Sequence, residues 1–177
     1  MKKIAFLLGL TVFIACQQNN DPINQTVPYE DTIILLGKAD KNGFSQAPFN
    51  TWFQPNYETY QPNDSVIMQM KPLLKGVTIK AFMGTWCSDS QRETPHFYKI
   101  LNAANFNLEH LTLIAVNDEK TTPQEFEKGL NITNVPTFIF YKNGQELNRI
   151  VEYPMESLEQ DMLKILEKVP YKHAYAE

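Results

Sequence analysis

The chain has 177 residues, 43% of them hydrophobic and 12% aromatic, enough apolar material for one domain with its own core and too much for a disordered polymer. Its 16 basic and 20 acidic residues leave a net charge of −4. A mildly acidic chain carries no electrostatic footprint for nucleic acid, and no nucleic-acid partner is expected.

The N-terminus bears on the compartment. Lys2 and Lys3 precede an apolar run, Ile4 to Ala15, that ends against Cys16. The run is shorter than the roughly 20 residues a bilayer span needs, so it reads as a secretory signal. A small residue directly before a cysteine resembles the lipobox of bacterial lipoproteins. That resemblance implies cleavage before Cys16, a lipid on its sulfur and attachment to a membrane without crossing it. The alternative is an ordinary secretory signal with a chance cysteine. Loss of residues 1–15 leaves 14 basic against 20 acidic residues. Gln17, next to the lipidation site, is not the acidic residue that retains some lipoproteins at the inner membrane, which tilts the expectation to the outer one. The chain uses only two cysteines, so lipidation of Cys16 leaves Cys87 without an intramolecular partner.

Residues 16–30, rich in Gln, Asn, Asp and Pro, read as a lipidated cysteine and a flexible tether, and residues 31–177 as the domain. Thr32 to Leu36 predicts a first strand ended by Gly37. Lys38 to Gln61 is turn-rich but holds Phe44, Phe49, Trp52, Phe53, Tyr57 and Tyr60. The favoured reading is a long connection packed on the core; the sharper one is an apolar rim that grips a client. Asp64 is placed to cap a helix through Leu74, shortened or kinked by Pro72 and stopped at Gly76. Val77 to Met83 predicts a central strand. Phe97, Ile100, Leu101 and Ala104 mark one face of a helix, and Leu111 to Val116 a buried strand. Thr122-Pro123-Gln124-Glu125 is a capping-box pattern that predicts a helix ending at Gly129. Thr137 to Tyr141 and Leu147 to Val151 are strands joined by an Asn143-Gly144 hairpin turn. Met155, Leu158, Met162, Ile165, Leu166 and Val169 predict a closing helix. This alternation implies an α/β domain with a mixed sheet covered on both faces.

Between the central strand and the next helix lies Gly84-Thr85-Trp86-Cys87-Ser88-Asp89-Ser90, with Pro95 farther along; Asn134-Val135-Pro136-Thr137 precedes a strand and the Lys142-Asn143-Gly144 turn. In this order the motifs resemble the thioredoxin superfamily over about residues 60–170. The resemblance implies a thioredoxin-like fold, a central mixed sheet flanked by helices on both faces. It also implies a Trp-Cys-x-x-Cys loop in which Trp86 and Cys87 are kept and Ser90 replaces the second cysteine. Pro136 then takes the place of the cis-proline, and Val135 that of the residue whose backbone meets an extended client. An ordinary trans-proline opening an edge strand is the alternative.

The physical argument for Cys87 is separate. A cysteine at a helix N-terminus meets unpaired N–H groups and the positive end of the helix dipole, which favour the nucleophilic thiolate. The Ser90 hydroxyl is placed to add a hydrogen bond to the sulfur, Trp86 to shield it, and Asp89 to oppose the thiolate by its charge. A small buried core cysteine is the alternative. Two departures from the family matter. Ser90 cannot resolve a mixed disulfide, and Ala81 stands where thioredoxins often keep a buried acid. Peroxiredoxin-like chemistry is not expected, because Gly84 and Lys80 stand where that pattern needs Thr or Ser and Pro. Nor is copper delivery, which takes two cysteines. His96, His110 and His173 lack ligand spacing and read as surface residues, Met68, Met70 and Met83 read as core filler, and no Gly-rich phosphate loop is present, so no metal or cofactor is expected.

The expected function is thiol–disulfide exchange through Cys87 on extracytoplasmic client proteins, completed by a client thiol or a small external thiol. A non-catalytic binding module and a redox sensor that caps Cys87 reversibly are the rivals.

Overall fold

A computed structural model describes residues 21–176. The residues of the predicted signal and Cys16 lie outside that range. Val77–Met83 forms strand β4, whose side chains alternate between two apolar layers: Val77, Ile79, Ala81 and Met83 enter the larger core and Phe82 the smaller. Four further strands complete the sheet: β3 (Gly37–Ala39), β5 (Leu111–Ala115), β6 (Thr137–Lys142) and β7 (Gln145–Val151), in the order β3-β5-β4-β6-β7. β4 is therefore central, parallel to β5 and antiparallel to β6. The edge strand β3 runs antiparallel to β5, with Gly37 opposite Ala115. Asn143 and Gly144 take φ of 53° and 77°, the left-handed pair that lets a tight turn follow the twist of β6 and β7.

Four helices supply the main layer: α1 (Asn50–Thr59), α2 (Asp64–Leu73), α3 (Ser88–Ala103) and α4 (Leu158–Glu167). α3 makes the parallel crossover from β4 to β5 and buries the predicted face of Phe97, Ile100, Leu101 and Ala104, with Phe97 stacked 4.1 Å from Phe138. All four helices send buried apolar residues into the same core. The sheet is mixed and the fold is thioredoxin-like, but the expected helix layer on the second face is absent among the described residues. There Phe126, Leu130 and Ile132 cover Phe82, Ile114 and Ile139 from a non-helical segment.

Several local expectations change. The Thr122–Gly129 helix does not form. The Thr122 hydroxyl does accept a main-chain N–H, but from Phe126, and Glu127 rather than Glu125 reaches back to the Thr122 N–H and hydroxyl. Glu125 turns to φ 55°, which takes the chain out of the helical path. Thr32–Leu35 is a strand, β2, but it pairs with β1 (Thr26–Tyr29) in a separate hairpin. Part of the predicted tether is thus strand. It is fastened, too: Asn24 Nδ2 donates to Asp40 Oδ1 at 2.7 Å, and the Asp40 N–H returns a bond to Asn24 Oδ1 at 2.9 Å. The aromatic connection contains α1, hidden from the sequence by Pro55 inside it. Asn63, not Asp64, caps α2, its side chain accepting from the N–H groups of Ser65 and Val66. α4 is shorter than predicted; Met155 and Val169 flank it and are exposed. Met70 and Met83 are core, whereas Met68 is exposed. His96 is not a surface residue: it is only partly exposed and stacks on Tyr60 at 4.1 Å.

Buried carboxylates tie the helices together. Glu159, in the first turn of α4, accepts from the Tyr60 hydroxyl at 2.5 Å and from the Asn63 N–H at 3.1 Å, so it joins the starts of α2 and α4. Burial pushes its carboxyl up, but bonds from Tyr60, its own N–H, Asn63 and Ser157 outweigh burial and hold it below its ordinary value. The ionised form is therefore favoured by the fold. Its contribution is complete above the ordinary carboxylate pKa and fades as pH falls through the depressed folded value. Replacement by Gln should lower stability at neutral pH by about 2 kcal/mol and flatten the acid limb of the stability profile. Urea titrations of wild type and Glu159→Gln, taken from neutral pH into the acid range, measure both effects.

Candidate functional site

The site is built where β4 hands over to α3. After Met83 the chain turns through Gly84 and Thr85, and Cys87 becomes the N-cap of α3, with φ −92° and ψ 126°. Gly84 is required by space: a Cβ there would lie 2.5 Å from the Trp86 indole. That close approach lets Trp86 Nε1 donate to the Val116 carbonyl at 2.9 Å, which pins the indole across the end of β5. The Cys87 N–H donates to Gly84 O at 3.0 Å, and the Gln91 N–H donates to Cys87 O at 2.9 Å as the first helical bond.

Cys87 is partly exposed, and its sulfur donates to the Val135 carbonyl at 3.3 Å. The Val135–Pro136 peptide is cis. The predicted group of Trp86, Cys87, Val135 and Pro136 is thus brought together. Behind the turn, Thr137 Oγ1 donates to Asn134 O at 2.7 Å and the Glu152 N–H to Pro136 O at 2.7 Å. Asn134 Nδ2 also reaches Glu152 Oε1 at 3.3 Å. Asn134, part of the Asn134-Val135-Pro136-Thr137 motif, and Glu152, which nothing in its sequence context singles out, support the turn.

Ser90 departs from its expected contact. It is fully buried, and its Oγ accepts the Gly84 N–H at 3.1 Å instead of serving the sulfur. It holds the loop from beneath. Ala81 is likewise fully buried and places no acid under the site.

The charge balance differs from the sequence reading as well. Asp89 is paired with Arg92 at 2.7 Å, and Arg92 Nε donates to the buried Glu93 at 2.8 Å. Partial burial works against the guanidinium charge, but its bonds to Glu93 and Asp89 prevail and hold the Arg92 pKa above its ordinary value. The charge expected to oppose a thiolate is therefore partly answered one turn along the same helix. An i, i+3 pair of opposite charges is visible in the sequence and was the available signal. Of the aromatic run, Phe44, Phe49 and Phe53 are core, as the packing reading holds, whereas Trp52 is only partly buried.

The thioredoxin family profile matches residues 64–164. The chain belongs to the thioredoxin family. It is 24% identical to thioredoxin H9 of Arabidopsis thaliana over 94 residues, 53% of this chain and 63% of that protein. It is 29% identical to a thioredoxin of Chlamydia trachomatis over 79 residues, 45% of this chain and 72% of the relative. The chain thus spans somewhat under two thirds of the first relative's length. Among solved structures, a Pseudomonas aeruginosa protein of unknown function aligns with a TM-score of 0.56 at 14% identity, covering 74% of this chain and 92% of that one. That likeness concerns the fold. Residues 21–63, with β1, β2, β3 and α1, lie before the family match.

The Asp89–Arg92 pair sets a reactivity test. Arg92→Ala should slow alkylation of Cys87 at neutral pH and Asp89→Asn should speed it, each by about threefold, the rate equivalent of an exposed ion pair. Iodoacetamide kinetics on the two variants measure the changes.

Proposed function

We propose that this chain is a lipid-anchored, envelope-facing, monothiol member of the thioredoxin family that carries out thiol–disulfide exchange on extracytoplasmic proteins. The observation that carries the reading is Cys87, a partly exposed residue at the N-cap of α3 with its sulfur 3.3 Å from the Val135 carbonyl before cis-Pro136. The sulfur stands at a helix N-terminus beside the Val135 backbone, which offers an edge to which an extended client can pair. The anchor rests on the sequence of residues 1–16 alone. Among the described residues, no helix is long and apolar enough to cross a membrane.

The chemistry follows from the single thiol. The Cys87 thiolate attacks one sulfur of a client disulfide. A bond forms between Cys87 and that sulfur, and the other client sulfur leaves as a thiolate with the electron pair. Release needs a second thiolate to attack the client sulfur of the mixed disulfide and return Cys87 as a thiolate. If that thiolate belongs to the same client, the result is reshuffling without net redox change. If an external small thiol supplies it, the client leaves bonded to that thiol. Ser90 can play no part in release, because a hydroxyl does not displace sulfur here and its oxygen is engaged with the Gly84 N–H.

Ser90→Cys supplies the test. It places a thiol three residues beyond Cys87, on the same helical turn. Wild type should reduce a model protein disulfide poorly and accumulate Cys87-linked adducts. The variant should gain dithiol reductase activity and lose most of the adducts, and Ala81→Asp should raise activity only in combination with it. Clients bound equally by wild type and Cys87→Ala, with no adduct in any variant, would instead establish a holding module.

A further inference from the structure

The redox loop has a second neighbour besides the Val135–Pro136 turn. A cleft of about 260 Å³ opens beside Trp86. Tyr29, Ile33, Phe49 and Trp52 form its outer walls, and Trp86 and Gln91 its inner wall. The four outer residues precede residues 64–164, so the outer walls of the cleft come from outside the family match. Its walls are tied to the loop that carries Cys87. The Leu35 N–H donates to Thr85 Oγ1 at 3.1 Å, Gln91 Nε2 donates to Thr85 O at 2.8 Å, and Asn56 Nδ2 of α1 donates to Gln91 O at 3.3 Å.

The shape and chemistry restrict the occupant. The volume falls below the roughly 300–1,000 Å³ of sites that enclose whole small molecules, which suits one bulky side chain better than a cofactor. Four of the twelve lining residues are aromatic, Tyr29, Phe49, Trp52 and Trp86. The rim is acidic: the hairpin tip carries exposed Glu30 and Asp31, and Glu30 itself lines the cleft. The Tyr29 phenol is held above its ordinary pKa by desolvation first and then by the Asp118 and Glu30 carboxylates. Lys120 stands 5.8 Å from the Trp86 ring. An extended peptide advances about 3.3 Å per residue. A residue one to three positions from a cysteine bonded to Cys87 therefore lies within about 10 Å of it, and Trp86, next to Cys87 in the chain, lines the cleft.

We propose that this cleft is a specificity subsite that takes a bulky apolar side chain of the client polypeptide, next to a Lys or Arg that meets the acidic rim, close in sequence to the cysteine that exchanges with Cys87. The proposal rests on the exchange function above and names its client class. Small anionic thiols gain nothing from such a rim, whereas an apolar residue beside a basic one gains from both.

The test uses the purified full chain and short peptides whose one cysteine carries thionitrobenzoate. Attack by the Cys87 thiolate on the peptide sulfur forms the Cys87–peptide disulfide and expels coloured thionitrobenzoate, so colour reports the exchange rate. Phe is compared with Ala at each of three positions on either side of the cysteine, and Lys with Glu beside the Phe. In wild type the best-placed Phe should speed exchange by about tenfold over Ala, and Lys should exceed Glu. Thr32→Trp and Thr51→Trp, which fill the cleft from exposed positions, should each bring the Phe-to-Ala ratio near one, and Glu30→Lys should reverse the charge preference. Taking ratios within each protein cancels any change in the reactivity of Cys87. Equal Phe and Ala rates at every position, or a ratio that survives both filled variants, would overturn the subsite while leaving exchange standing, provided a small aromatic disulfide reacts at Cys87. Failure of that small disulfide as well would overturn both.

Discussion

The structure depends on a tight junction between a central strand and the helix that follows it. Gly84 leaves β4 with no side chain, because the Trp86 indole occupies the space a Cβ would need. Its N–H is satisfied by Ser90 from below and its carbonyl by the Cys87 N–H from above. With Trp86 pinned to Val116, the four residues between strand and helix have little freedom. The sulfur then sits at a helix N-terminus and against the Val135 carbonyl at the same time. Loss of the close approach at Gly84 would move the indole, the sulfur and the first turn of α3 together.

This junction also explains why Ser90 is more than a missing cysteine. Buried and bonded to the loop it supports, it is a structural part of the turn. The absence of a second thiol and the absence of an acid at Ala81 belong together, since an acid there has no second thiol to activate. What remains is one partly exposed cysteine, a cis-proline turn beside it and, next to Trp86, a cleft whose outer walls come from the segment before the family match.

The elements that were legible in the sequence are those whose side chains serve one layer with a simple period. Val77–Met83 alternates, Phe97 to Ala104 repeats at helical spacing, and Asn143-Gly144 specifies its turn by conformation. Trp86, Cys87, Val135 and Pro136 were legible through the family pattern, and they do meet in space. α1 was not, because its aromatics and Pro55 obscure any period, and its place is fixed by packing on α3 that no local signal reports. The capping pattern at Thr122 misled for a related reason. A local motif gave way to the need to lay Phe126, Leu130 and Ile132 on an otherwise bare sheet face. The Asp89–Arg92 pair and the part Ser90 plays depend on side-chain direction, which spacing alone does not give.

The central claim is that Cys87 exchanges disulfides with proteins outside the cytoplasm. It is tested most directly by quenching cells that express the chain with acid, blocking free thiols, and identifying by mass spectrometry what is disulfide-linked to it. The account predicts adducts joined through Cys87 to secreted or envelope proteins, absent from Cys87→Ser. No adduct at Cys87, or adducts with cytoplasmic proteins alone, would contradict it.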